Sequence, residues 1–121
     1  MQLNHLDLQV ADVQHTVAVF EELFGLRLES SPTSSAIAIL SDGAGFTLVL
    51  QRKKRPEERY PSDFHIGFLV DSIDIVYAVH ARAATLHLEA GDVVRNNRGT
   101  MVYIAMPDGY LVEVSCRPSA P

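Results

Sequence analysis

The chain has no tryptophan, a single cysteine and few aromatic residues, 7% in all. Each scarcity removes a class of protein. One thiol, Cys116, cannot close an internal disulfide, which excludes the small disulfide-stapled scaffolds and fits a reducing compartment. No stretch approaches the roughly 20 apolar residues that a membrane-spanning helix needs. The start, Met1-Gln2-Leu3-Asn4-His5, has neither the basic head nor the apolar core of a secretory signal, so a cytoplasmic protein is expected. Cations are outnumbered, 10 against 15 acidic residues, for a formal charge of -5. That balance argues against nucleic acid as a partner, because phosphate binding wants a basic face. What is present is ordinary: 121 residues, 47% of them apolar, enough for one domain with a buried core.

The chain writes one pattern twice. Asn4-His5-Leu6-Asp7-Leu8-Gln9-Val10 aligns with Phe64-His65-Ile66-Gly67-Phe68-Leu69-Val70 at an offset of 60 residues. The register then holds without a gap: Asp12 meets Ser72, Val13 meets Ile73, Val17 meets Tyr77, Leu26 meets Leu86, and Glu29 meets Glu89. Self-similarity at a fixed offset dictates architecture, and here it implies a duplicated half-domain. Alternation from Leu3 to Val10 reads as a strand with Leu6, Leu8 and Val10 inward and His5, Asp7 and Gln9 on the other face. Asp12 is placed as an N-cap, Val13, Val17, Phe20 and Phe24 form a helical stripe, and Gly25 ends the helix. Strands follow from Leu26, over 36–40 and over 46–51, giving βαβββ. The charged, proline-bearing stretch 52–62 reads as a solvated linker. In the second half, 65–70 is a strand and Asp71 or Ser72 caps a helix with Ile73, Val76, Tyr77, His80 and Ala83 on one face. Strands are expected near 85–88, at 100–105 and at 110–116, with turns at Gly91-Asp92, 96–99 and 106–109. Residues 117–121 form a tail. The expected fold is α+β: two tandem βαβββ modules, about 1–51 and 63–116, making a curved mixed sheet around a cleft with helices on the outer faces.

Strand parity then selects a chemistry. Val112, Val114 and Cys116 make an apolar side, which turns Glu113 to the face shared by His5 and His65. Two imidazoles and a carboxylate are a standard donor set for a divalent transition metal with positions left open. His15, His80 and His87 read as structural or solvated, and Cys116 as a small buried hydrophobe.

Asn4 to Asp12, Phe20-Glu21-Glu22-Leu23-Phe24-Gly25-Leu26, Phe64-His65-Ile66-Gly67-Phe68 and the closing Pro107-Asp108-Gly109-Tyr110-Leu111-Val112-Glu113 together resemble the vicinal oxygen chelate superfamily. That superfamily takes in glyoxalases, fosfomycin- and bleomycin-resistance proteins and extradiol dioxygenases. The resemblance covers essentially the whole chain. It implies metal ligation by His5, His65 and Glu113, with iron, manganese, nickel or zinc as the ion. It also implies a small-molecule substrate and a homodimer. Asp7 and Gln51 are candidates for a base or an orienting group. A glyoxalase I with four protein ligands is disfavoured, because Val49 stands at the module-symmetric position of Glu113. Fosfomycin thiol transferases resemble one another in a threonine where this chain has Asp7. Extradiol dioxygenases need further histidine and tyrosine groups, for which Tyr103 and Tyr110 are available. The alternative is a metal-free ligand-binding protein of the bleomycin-resistance kind, which would want an aromatic-lined groove that this composition supplies poorly.

Overall fold

A computed structural model describes residues 1–119. The chain forms two compact units, Met1–Glu58 and a second beginning at Arg59. Among the described residues no helix is long and apolar enough to cross a membrane.

In the first unit, β1 (His5–Val10) leads to α1 (Val13–Phe24), then β2 (Arg27–Leu28), β3 (Ile37–Ser41) and β4 (Thr47–Arg52). The sheet order is β1-β4-β3-β2, with β1 and β4 parallel and the other pairs antiparallel. Alternation fixes which face is covered. Leu8, Val10, Ala38, Leu40, Leu48 and Leu50 are buried, as are Val13, Val17, Phe20 and Leu23 of the helix that packs on this sheet. The helix ends are specified as the sequence predicts. Asp12 Oδ1 accepts the His15 N–H at 2.9 Å, and Gly25 closes the last turn at φ 72°. Asp12→Ala is therefore expected to lower stability by about 1 kcal/mol in urea denaturation, the usual cost of a lost N-cap.

The second unit runs β5 (His65–Val70), α2 (Ile73–Thr85), β6 (Glu89–Ala90), β7 (Val94–Asn96), β8 (Gly99–Ala105) and β9 (Leu111–Cys116). Its sheet order is β5-β9-β8-β6, with β7 also paired to β8. The repeat read from the sequence extends to pairing. His5 faces Thr47 and Asp7 faces Val49 in the parallel β1–β4 pair, as His65 faces Leu111 and Gly67 faces Glu113 in β5–β9.

Three details depart from expectation. Ser72, one of the two expected caps, is the α2 N-cap, but the helix is turned toward Val79. Val76, Val79 and Ala83 are buried, while Ile73 and Tyr77 are 38% and 44% exposed. Small side chains let the helix settle close to the sheet, and the bulkier pair stays outside. The expected strand at 85–88 is partly helix and partly turn, since His87 takes the positive φ (57°) that a glycine would usually supply. Finally, β7 adds a strand to the βαβββ plan. Its three residues are all exposed, so no alternation announces it. Of the expected tail, 117–119 carry no regular structure, and Ala120 and Pro121 lie outside the described residues.

The core of the second unit holds an unusual group. Tyr110 is fully buried, packed edge-on to Tyr60 at 5.3 Å, and its hydroxyl has no hydrogen-bond partner among the described residues. Burial, and then the negative charge of Asp108, push this phenol far above the usual tyrosine range. The raised value favours the fold below the ordinary tyrosine pKa of about 10. Above it the unfolded chain releases the proton while the folded chain keeps it, so stability falls with rising pH. Removing a buried, unpaired hydroxyl relieves a desolvation cost. Tyr110→Phe should thus be neutral or stabilising by about 1 kcal/mol at pH 7, with a shallower alkaline loss in paired urea titrations.

Candidate functional site

Each sheet has one face that its helix does not cover, and the polar residues singled out in the sequence lie there. On the first sheet, β1 presents His5, Asp7 and Gln9, and β4 presents Val49 and Gln51 beside them. Asp7 and Gln51 are brought together: the Gln51 side-chain amide donates to Asp7 Oδ2. Gln9 Nε2 donates to Asp7 Oδ1 at 3.0 Å, so both carboxylate oxygens accept an amide N–H. The register explains this clamp, since Gln9 and Gln51 are direct partners across the parallel pair. Val49, with Ile39 opposite it on β3, supplies no donor.

On the second sheet the carboxylate comes from the other strand. Glu113 on β9 sits between Gly67 on β5 and Tyr103 on β8. Tyr103 donates its hydroxyl to Glu113 Oε1 at 2.5 Å. Glu113 Oε2 lies 3.4 Å from where a Cβ on Gly67 would stand, so the missing side chain leaves room for the carboxylate. The hydrogen bond to Glu113 raises the Tyr103 pKa, with burial and the Glu113 charge adding to it and Arg98 opposing. Tyr103 also lies edge-on to His65, ring centres 5.7 Å apart at 80°. His65, Tyr103 and Glu113 thus form one contiguous group.

The histidine tautomers follow from their partners. His65 Nδ1 lies 3.0 Å from the Asp63 carbonyl oxygen, and His5 Nδ1 lies 2.8 Å from Asn4 Oδ1. Both partners only accept, so Nδ1 carries the hydrogen and Nε2 keeps its lone pair, as in metal-ligating histidines with an anchored second nitrogen. In donor chemistry His5, His65 and Glu113 fit a borderline divalent ion. Neither unit by itself carries all three, and among the described residues no three His, Cys, Asp or Glu side chains group around a metal-sized point.

Tyr110, the other tyrosine considered from sequence, is a core residue. Tyr103, Gly67 and Gln9 escaped the sequence reading as partners of the two carboxylates. A signal for Tyr103 existed. The Met106–Gly109 turn, closed by Met106 N–H to Tyr110 O at 2.9 Å, sets the hairpin register and brings Tyr103 opposite Glu113.

Two duplicated units, each with one open sheet face, define a class, and comparison identifies it. The chain belongs to the Glyoxalase/Bleomycin resistance protein/Dioxygenase superfamily, whose family model matches residues 2–114. It is similar to a possible glyoxalase from Bacillus cereus, with 31% identity, 96% of this chain and 99% of that one covered, and a TM-score of 0.83. Two further structures share the fold at lower identity. One is the fosfomycin resistance protein FosX from Listeria monocytogenes (22% identity, 97% and 91% covered, TM-score 0.78). The other is a lactoylglutathione lyase from Agrobacterium tumefaciens (21%, 95% and 92%, 0.73). No curated protein matches the chain in sequence.

Proposed function

We propose that the chain is a metal-dependent enzyme of this superfamily, acting on a small oxygenated substrate chelated by a divalent metal. His65 and Glu113 would hold the metal, with His5 as third donor from the same chain or from the second copy of a homodimer. The observation that carries this reading is the setting of Glu113. Tyr103 fixes one of its oxygens at 2.5 Å, and glycine at position 67 leaves the other uncovered. A surface glutamate with no task needs neither feature. The two anchored histidines support the same reading, since each keeps Nε2 free to coordinate. When bound, the metal supplies Lewis acidity at a substrate oxygen. Tyr103 steadies the Glu113 carboxylate. Asp7, clamped by Gln9 and Gln51, offers a fixed carboxylate that can take a proton or orient a substrate hydroxyl. Iron, manganese, nickel and zinc all suit two imidazoles and a carboxylate, and the ion found would select among dioxygenase, thiol transferase and lyase chemistry.

The test is metal content by mass spectrometry on untagged protein beside His65→Ala. Near-stoichiometric metal that disappears in the variant is the expected result. A second reading, a metal-free ligand-binding protein of the bleomycin-resistance kind, draws support from the exposed Ile37, Ile39 and Leu69. It prevails if both proteins are metal-free and added iron, manganese, nickel and zinc leave the melting temperature unchanged.

A further inference from the structure

The second unit has a cavity of about 350 Å³ on the opposite side of its sheet from Glu113. Thr100 and Cys116, which are direct partners across β8 and β9, lie on its wall. Their parity is that of Val102, Val112 and Val114, the residues buried on the helix-covered side, so this cavity is separate from the group around His65. Arg95 on β7 and Arg117 just past β9 also line it. Two arginines on one cavity wall are notable in a chain of net charge -5.

The remaining wall polarity is mostly donor. Asn96 Oδ1 is committed to the Arg98 N–H at 2.8 Å, which leaves the Asn96 side-chain NH2 as its free donor. Thr100, 4% exposed, also lines the wall and carries a hydroxyl that can donate to a ligand oxygen. Guanidinium pairs match the planar or tetrahedral oxygens of carboxylate and phosphate. Among the described residues Asp71 is the one acid on the wall, and it disfavours a ligand with several negative charges. The volume lies at the lower end of the range for small-molecule sites.

We propose that this cavity is a second ligand site that takes a small oxyanion, a single carboxylate or phosphate group, between Arg95 and Arg117 with Thr100 and Asn96 as hydrogen-bond donors. The site does not depend on the metal reading, because it shares no residue with it.

Cys116, the only cysteine, is 8% exposed and lines the cavity, so it serves as a built-in reporter. The experiment times its alkylation by neutral iodoacetamide in the full chain, by mass spectrometry, at constant ionic strength. Phosphate, acetate and chloride are the probes. Phosphate or acetate is expected to slow alkylation saturably, about tenfold at nine times the half-protecting concentration. The double variant Arg95→Gln/Arg117→Gln should abolish the protection, and Thr100→Val should weaken it. Protection by phosphate alone assigns a phosphate-bearing ligand, and protection by acetate assigns a carboxylate. Equal slowing by chloride, or equal protection in the double variant, overturns the proposal. Isothermal titration with phosphate and with acetate gives the same decision without the thiol: no saturable heat from either overturns it, and saturable heat that the double variant loses supports it.

Discussion

Alanine at Gly99 is expected to prevent the second unit from folding, whereas alanine at Gly25 should cost only about 1–2 kcal/mol, the penalty for a left-handed residue. Both glycines have positive φ, but 72° at Gly25 lies by the left-handed well that other residues can enter, and 128° at Gly99 lies outside it. Their surroundings separate them. A Cβ at Gly25 meets nothing within 4 Å, while at Gly99 it would stand 2.1 Å from the Cys116 carbonyl oxygen, 3.0 Å from that carbonyl carbon and 3.2 Å from Arg117 Cα. All three obstacles are backbone, so no side chain can swing away. Relief requires parting β8 from the end of β9, next to the Thr100–Cys116 pair that begins their ladder. Small domains hold about 5–15 kcal/mol in total, and a forced backbone overlap consumes a large part of it. Circular dichroism with urea denaturation would show a cooperative transition for Gly25→Ala and none, or a loss beyond about 4 kcal/mol, for Gly99→Ala. Matching midpoints for the two variants would mean that the close approach at Gly99 is absent in solution.

The contrast also shows what a sequence can and cannot carry. The Asn96-Asn97-Arg98-Gly99 run announces a turn, but only the packed strands reveal that glycine is needed there for space. Where one local rule sufficed, the reading matched the structure. The α1 boundaries follow from an acceptor side chain at Asp12 and the glycine at 25. The His5 and His65 strands, read as duplicates at one offset, are equivalent in the structure, each pairing in parallel with the last strand of its own unit. Where several faces competed, the reading lost resolution. The α2 stripe contained both Tyr77 and Ala83, and only tertiary contact decides that the smaller one goes inside.

Symmetry likewise predicted positions but not their occupants. In each unit one carboxylate faces the pair formed by the first and last strands, yet it comes from β1 as Asp7 in one and from β9 as Glu113 in the other. The partners then differ, amides around Asp7 and a phenol on Glu113. Such an exchange follows no periodicity. It becomes visible only when Tyr103 and Glu113 are known to be opposite each other, as Ile39 and Val49 are. The duplicated scaffold therefore carries two polar centres of different chemistry, and the proposed ligation rests on one of them.

Under the proposed function, Glu113→Gln should lower the affinity for added zinc or manganese by at least about 100-fold, since a neutral amide replaces the one anionic donor of the set. Tyr103→Phe keeps that donor and removes only what steadies it. Loss of such an outer partner typically costs about 10–100-fold, so the expected order is wild type, Tyr103→Phe, then Glu113→Gln. Isothermal titration of the apo proteins measures both. Glutamine also retains a carbonyl that can accept the Tyr103 hydroxyl, so the fold should persist in Glu113→Gln. A second readout needs no metal. The hydrogen bond to Glu113 and its charge hold the Tyr103 pKa above the ordinary tyrosine range. Removing the charge should bring it down, so that one phenol ionises at lower pH in an ultraviolet titration of the variant than in the wild type. The step from that phenol should vanish in Tyr103→Phe. A tyrosine titration that does not move in Glu113→Gln would refute the Tyr103–Glu113 contact itself. A titration that moves while metal affinity stays level across all three proteins would keep the contact and reject Glu113 as a ligand. Those two failures are distinguishable, and the second would turn the reading toward a ligand-binding protein in which the same carboxylate addresses the ligand directly.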